Sequence, residues 1–307
     1  MTQPSVKTAR AGRPGFSRAA DAVVRRIIAA CGWLAIAILG AIFLFLLLNS
    51  LRALREVGLG KMIGATDWYP TAAKPTFGFL PSEVGSLWVT GVGLLLSVPV
   101  GIGAAVYLSE FARGRFKDLA KSVVEFMSAV PSVVLGLLGV AYVAPLIQKT
   151  FQVESGLTAL TAGLVVGIMT LPTIISISED ALYSVPKDMR QGSLALGNTT
   201  WQTTFKVVVP AASSGIFAAV MLGLGRAIGE TMVVLMLAGN SGLIPNSPLQ
   251  AARTMTGTIA QEMGEVVRGG QHYSVLFTMG LVLFAITFVV NLAADMVLER
   301  QRKRWRR

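Results

Sequence analysis

Two ionisable residues, Arg226 and Glu230, interrupt an apolar stretch long enough to cross a membrane. Charge inside such a stretch is costly and marks a functional site by default. The i,i+4 spacing predicts one shared helix face, with the two side chains within pairing distance. The arginine offers a permanently charged fork of donors that fits an oxyanion, and Glu230 could neutralise it while the site is empty. A structural ion pair that locks two helices explains the spacing equally well, so both interpretations stay open.

Hydroxyl and amide side chains accompany this pair. Thr231, Ser213 and Asn240 could donate hydrogen bonds along the same path, although packing between helices is their more frequent role. We take Thr231 with the pair as candidate translocation residues. The single cysteine, Cys31, and the single histidine, His272, exclude disulfides and Cys/His metal sites, and the histidine is expected near a helix end. No catalytic constellation is found, so an intramembrane enzyme is disfavoured.

A second chemical element is the segment 180–209. Pro186 suits the first turn of a helix that Gly197 would end. Thr199 and Gln202 have the spacing of a capping box, which predicts a second short helix. Two helices that meet at a glycine form a compact knob, whose apolar surface comes from Leu194, Leu196, Trp201 and Phe205. The segment therefore predicts a docking element for a partner, with helices lying along the membrane surface as the alternative.

The composition identifies the medium that holds these elements. Hydrophobic residues are 53% of 307 residues, charged residues are 14%, and the mean hydropathy is +0.64. A soluble domain carries roughly 25% charged residues, so this chain cannot cover a soluble surface. The net charge of +11 comes from termini and short loops without an aromatic-basic stripe, which argues against nucleic-acid binding. Membrane lipid is the expected surrounding, and the fold class is an all-α polytopic protein.

Apolar windows of transmembrane length predict six spans. They are 27–51, 84–109, 126–148, 155–178, 207–240 with its internal charges, and 273–294. The N-terminus, the connection with Arg113, Arg115, Lys117 and Lys121, and the C-terminus are all basic and fall on one face. The positive-inside rule makes this face cytoplasmic, so both termini are expected in the cytoplasm. The chain is thus predicted to be a multi-pass protein of the bacterial inner membrane.

These spans divide the chain into successive parts. Residues 1–26 are predicted to be a basic cytoplasmic tail, 27–82 the first span with a periplasmic loop, and 300–307 a second basic tail. The core, 83–299, holds five spans and the cytoplasmic loop 180–209. Within the opposite loop, 241–272, Pro248 favours a short helix over 249–267 that Gly269-Gly270 would end.

The cytoplasmic loop resembles the EAA loop of ABC-importer permeases of the MetI-like family. Its residues Gln191-Gly192-Ser193, followed by Gly197 and Pro210, stand at the spacing of that motif, although Gln-Gly-Ser replaces Glu-Ala-Ala. The resemblance implies that this knob, with Trp201, fits a cleft on an ATPase subunit. The chain has no phosphate-binding loop of the Walker type, so ATP and Mg would be held by that partner and no cofactor by this chain.

A longer set of motifs is similar to the PstC-type permeases of phosphate-specific importers. The central string runs from Leu224 through Arg226-Ala-Ile-Gly-Glu230-Thr231-Met232 to Gly239-Asn240, where Met232 and the Gly-Asn ending distinguish it from PstA-type chains. Further matches are Trp68-Tyr-Pro70, Phe77-Gly78, Leu80-Pro81, Gly85-Ser-Leu-x-x-Thr90, Pro131-Ser-Val-Val, Leu171-Pro172 and Glu179-Asp180-Ala-Leu.

This resemblance implies a six-helix MetI-like permease and assigns phosphate translocation to Arg226 and Glu230. It also implies three partners: a PstA-like second permease, an ATPase dimer and a periplasmic phosphate-binding protein. Alternatives left open are an ATP-independent anion carrier or channel, and an ABC permease for sulfate or molybdate. A non-transport scaffold is disfavoured because it needs no charge inside a span.

Overall fold

The computed structural model describes the backbone of residues 15–305. The two predicted tails therefore lie partly outside the described residues, at 1–14 and 306–307. The first half contains α1 (Gly15–Glu56), α2 (Leu59–Gly64), β1 (Trp68–Tyr69), β2 (Thr76–Phe77), α3 (Leu80–Val106), α4 (Gly114–Ala129), α5 (Ser132–Leu138) and α6 (Ala144–Phe151). The second half contains α7 (Ala159–Tyr183), α8 (Lys187–Ala195), α9 (Thr200–Thr203), α10 (Val209–Ala211), α11 (Ser213–Ile228), α12 (Met232–Leu237), α13 (Met255–Glu262) and α14 (Gln271–Trp305).

Short π-helical turns continue three of these helices, at Tyr107–Phe111, Gly139–Val143 and Thr204–Val208. The strands pair antiparallel, Trp68 with Phe77 and Tyr69 with Thr76, inside the loop between α2 and α3. The all-α prediction is otherwise confirmed. In residues 15–305 five helices are long and apolar enough to cross a membrane, and six if the pair bent by 68° between Thr200–Ala211 and Ser213–Ile228 counts as one span.

The helix α1 as far as Leu48 is a unit of its own, with exposed apolar side chains, and residues 49–307 form the second unit. In the second unit α3 and α7 pack in parallel along their length. The close approach requires glycine, because a Cβ on Gly163 would lie 2.9 Å from the carbonyl oxygen of Val89. Helix α11 runs antiparallel to α7, with Gly223 against Ile174 and Gly215 against Ala181.

Two ends of the second unit can be named from these directions. The "α8 end" joins the last turns of α3 and α7 to the start of α11, around a buried cluster that includes Val106, Leu182 and Val208. The "α13 end" joins the first turns of α3, α7 and α14 to the loop 238–270. A second buried cluster, with Trp68, Phe79 and Met279, lies at this end.

Two predicted elements have wrong bounds, the third span and the helix in the loop 241–272. The third span begins at Ser132 and not at Phe126, because Pro131 and the extended Val130 before it interrupt the helix. Residues 126–129 instead end α4, whose side chains are partly or fully exposed. The helix predicted over 249–267 covers only Met255–Glu262, where Thr254 caps its first turn. Gly269, with φ +76°, lies in the turn before α14.

The fifth predicted span, 207–240, is not continuous. It bends at Ala212 and breaks again between Ile228 and Met232. Irregular backbone at membrane depth is tolerated where protein satisfies its polar groups or where it lines a cavity. The break contains Glu230 and Thr231, two of the candidate site residues.

Candidate functional site

Arg226 lies in the last turn of α11, where its side chain is partly buried. Its Nη1 donates a hydrogen bond to the hydroxyl of Thr173 on α7, at 3.1 Å. In the part of the chain that the structure describes, no carboxylate lies within 4.0 Å of this guanidinium. The interpretation of Arg226 and Glu230 as an ion pair is therefore wrong, and Arg226 carries a positive charge that no carboxylate of the described residues neutralises within 4.0 Å.

Glu230 has a different partner because the helix does not continue through it. Helix α11 ends at Ile228, before Glu230, so Arg226 and Glu230 do not share a helix face with i,i+4 spacing. The Glu230 carboxylate accepts a hydrogen bond from the backbone N–H of Val233, at 3.1 Å, in the first turn of α12. The hydroxyl of Thr256 donates to the Glu230 carbonyl oxygen at 2.8 Å. Side chains thus take over groups that the broken helix leaves unpaired.

Two further candidates, Thr231 and Asn240, make local contacts. Thr231 donates to the Gly229 carbonyl oxygen at 3.3 Å, within the break itself. Asn240 donates to the Leu235 carbonyl oxygen at 2.8 Å and so closes the end of α12. For Asn240 the packing interpretation is the one that the structure supports.

Hydroxyl groups from three elements surround the break. Ser86 and Thr90 on α3, Thr254 at the cap of α13 and Thr256 in its first turn line a narrow gap next to Glu230 that has no room for a water molecule. An open apolar groove of about 560 Å³ adjoins it between α3, α11 and α14. The site is thus a tightly packed polar patch at the edge of an apolar groove.

The predicted docking knob is present at the α8 end. Helix α8 starts after Pro186, Gly197 has φ +87°, and both hydrogen bonds of the Thr199–Gln202 capping box form. The Ser193 hydroxyl is buried 2.9 Å from that of Thr203, so the two helices are bonded to each other. Sequence reasoning predicted both helices correctly.

The exposed surface of this knob is apolar. Leu196 is 86% exposed and Trp201 62% exposed, and the ring centroids of Trp201 and Phe205 lie 4.4 Å apart with the rings tilted by 44°. Gln191 and Gly192 lie on the exposed side of α8, whereas Pro210 is partly buried in α10. An exposed aromatic and aliphatic cluster rimmed by polar residues is typical of an interaction surface.

Sequence reasoning missed two ion-pair clusters at the α8 end. Arg190 on α8 binds Glu110 in the π-helical turn after α3, with an N–O distance of 2.9 Å. Glu179 on α7, 7% exposed, lies 3.6 Å from both Lys117 and Lys121 of α4. The glutamates could have predicted these ion pairs only if it had been known which helix ends meet, because each partner is distant in sequence.

A further polar network at the α13 end was also missed. Glu262 accepts from Trp68 Nε1 at 2.9 Å and Arg253 Nη1 at 2.8 Å, and its other oxygen is 2.8 Å from His272 Nε2. His272 lies at the start of α14, as expected for a residue near a helix end. The network forms one wall of an open cavity of about 760 Å³. Among the described residues no three acidic, histidine or cysteine side chains could hold a metal.

Residues 97–307 match the family described as Binding-protein-dependent transport system inner membrane component. The chain is 38% identical to a probable ABC transporter permease protein, YqgH, of Bacillus subtilis, over 86% of each chain. It is 32% identical to the phosphate transport system permease protein PstC of Mesorhizobium japonicum, over 97% of this chain and 95% of that one.

Solved structures agree in fold. The bacterial ABC transporter for import of alginate superimposes with a TM-score of 0.62 at 15% identity, covering 92% of this chain and 99% of the other. The MetNI methionine ABC transporter superimposes with a TM-score of 0.58 at 18% identity, covering 73% and 96%. These likenesses confirm the predicted MetI-like permease fold. The chain belongs to the binding-protein-dependent transport system inner membrane component family, among ABC transporter permeases of the PstC type.

Proposed function

We propose that this chain is one of two permease subunits of an ATP-driven importer, and that its cargo is inorganic phosphate. The observation that carries the proposal is Arg226, an intramembrane guanidinium with a hydroxyl partner and no carboxylate within 4.0 Å among the described residues. An unneutralised charge in a span is unfavourable unless an anion can reach it. The relatives named PstC supply the anion that this proposal names.

The division of labour follows from the two ends of the second unit. The exposed knob with Trp201 at the α8 end would dock an ATPase dimer, which would hold ATP and Mg. A PstA-like second permease would complete the path beside α11, and a phosphate-binding protein would deliver cargo at the α13 end. The positive-inside rule places the α8 end and both termini in the cytoplasm, and the exposed apolar faces against lipid.

Within this scheme the arginine would bind and release the anion without chemistry on it. Two N–H groups of a guanidinium match two oxygens of phosphate in direction and spacing. Thr173 orients the guanidinium, and Glu230 holds the start of α12 beside it. Glu230 would thus shape the site and not neutralise it.

Reconstitution tests the proposal. The chain, its candidate second permease and ATPase are placed in proteoliposomes with the binding protein, and uptake of radiolabelled phosphate is measured with ATP and with a non-hydrolysable analogue. We expect ATP-dependent uptake, loss of uptake in Arg226→Ala, and near-normal uptake in Arg113→Gln, which removes an exposed arginine. Uptake that continues without ATP hydrolysis would overturn the proposal of an ATP-driven importer. Stimulation of the ATPase by sulfate or molybdate and not by phosphate would overturn the cargo.

A further inference from the structure

Arg190 makes more contacts than a surface ion pair requires. Its Nε and Nη2 bind the two carboxylate oxygens of Glu110, at 3.3 and 2.9 Å. Nη2 also donates to the Leu182 carbonyl oxygen at 2.7 Å, and Nη1 donates to the Val185 carbonyl oxygen. All three nitrogens of the guanidinium are therefore used, on two chain segments, the turn with Glu110 and residues 182–185.

The burial of this pair shows that it is held firmly. The Glu110 side chain is 9% exposed and the Arg190 side chain 21% exposed. A two-pronged arginine–carboxylate pair fixes direction as well as distance, and removing one partner of a buried pair is strongly unfavourable. By contrast, the two lysines that contact Glu179 stand at 3.6 Å and are more exposed, at 28% and 47%. Of these two clusters, only the arginine pair has the geometry of a rigid link.

The link joins the docking knob to the two most closely packed helices. Arg190 belongs to α8, Glu110 to the π-helical turn at the end of α3, and Leu182 to the last turn of α7. Turns of this π-helical type occur often at functional positions. Since α3 and α7 pack along their length, a displacement of α8 acts on both helices together.

Helix α7 leads directly from this link to the candidate translocation site. Thr173, which binds Arg226, lies nine residues before Leu182 on one helix, about 14 Å at the rise of an α-helix. Pro172 lies directly before this stretch, and the helix is continuous from Ala159 to Tyr183. A movement of the knob can therefore reach Arg226 through a single rigid element.

We propose that Arg190 is a positioning residue that transmits movement of the knob to the Arg226 site through Glu110, α3 and α7. This inference rests on the proposed function, because it presupposes an ATPase that moves the knob. It assigns the transmission to an ion pair inside this chain, separate from the apolar surface that touches the partner. Arg190 and Glu110 would determine how much phosphate crosses for each ATP hydrolysed.

The test uses the complete complex in proteoliposomes and measures ATP hydrolysis and phosphate uptake in the same sample. The variants are Glu110→Gln, Arg190→Gln, the double variant, and Arg190→Lys, which keeps the charge but loses the fork. Arg113→Gln, an exposed arginine at the same end, is the matched control. Complex assembly is followed by co-purification of the ATPase.

We expect each single variant to assemble and hydrolyse ATP while phosphate transported per ATP falls about tenfold, and the double variant to be no worse than either one. In Arg190→Lys the phosphate transported per ATP should fall as in the other variants, because lysine cannot make the two-pronged contact of arginine. Unchanged phosphate per ATP in the variants would overturn the inference, and so would parallel loss of hydrolysis and ATPase co-purification, which indicates an assembly role. If the unmodified complex shows no ATP-dependent phosphate uptake, the proposed function fails instead.

Discussion

The contact between Gly85 and the loop before α13 provides a prediction with a matched control. A Cβ on Gly85 would lie 2.1 Å from the Arg253 carbonyl oxygen, whereas a Cβ on Gly91 of the same helix would meet nothing within 4 Å. The neighbouring Ser86 hydroxyl also accepts the Met255 backbone N–H at 3.1 Å. The methyl group of Gly85→Ala would therefore clash with the backbone that leads into α13, whereas that of Gly91→Ala would not.

The magnitude follows from the geometry. A carbon and a carbonyl oxygen approach to roughly 3.3 Å, so the Arg253 carbonyl must shift by about 1.2 Å to admit the methyl group. Overpacking of this kind costs about 1–3 kcal/mol, and the upper value applies because the obstacle is backbone. Both substitutions gain the same helix propensity of about 1 kcal/mol. That gain cancels, so we expect Gly85→Ala to be about 3 kcal/mol less stable than Gly91→Ala.

The assay is reversible unfolding of each purified variant in mixed micelles, followed by circular dichroism. Phosphate uptake by the reconstituted complex is the second readout, because the shift would reach Thr256 and its bond to the Glu230 carbonyl oxygen. We expect Gly85→Ala to lose uptake. Equal stability of the two variants, within about 0.5 kcal/mol, would refute the reasoning that Gly85 allows this close approach.

Three other changes have expected outcomes of their own. Thr173→Val removes the hydroxyl that binds Arg226 and should raise the KM for phosphate-stimulated hydrolysis about tenfold, whereas Thr173→Ser should restore it. Thr199→Ala removes the cap of α9, costing about 1 kcal/mol, and should weaken ATPase co-purification. Glu262→Ala removes an acceptor shared by three donors and should lower stability by about 3 kcal/mol, whereas Glu265→Ala, at an exposed site, should have little effect in the same unfolding assay.

The sequence by itself determined the features that depend on local composition. Apolar length alone predicts where the spans lie, although not the break in the fifth, because the energy of a helix in lipid is a sum over consecutive residues. The capping box of Thr199 and Gln202 and the stop at Gly197 were predictable for the same reason, since their hydrogen bonds and dihedral angles involve neighbours only. The family resemblance, quoted from motifs between Trp68 and Asn240, is confirmed by relatives that match over most of the chain.

Only the tertiary structure decided the geometry of the charged residues. The spacing of Arg226 and Glu230 indicates a pair only if the helix continues, and it breaks where Thr256, 26 residues further on, binds the Glu230 carbonyl oxygen. The Arg190–Glu110 link joins residues 80 positions apart. Such contacts depend on which helix ends meet, and no local pattern contains that information. The sequence thus determined that a charge lies inside the fifth span, and the packing of α7, α11 and α13 decided that no carboxylate of the described residues pairs with it.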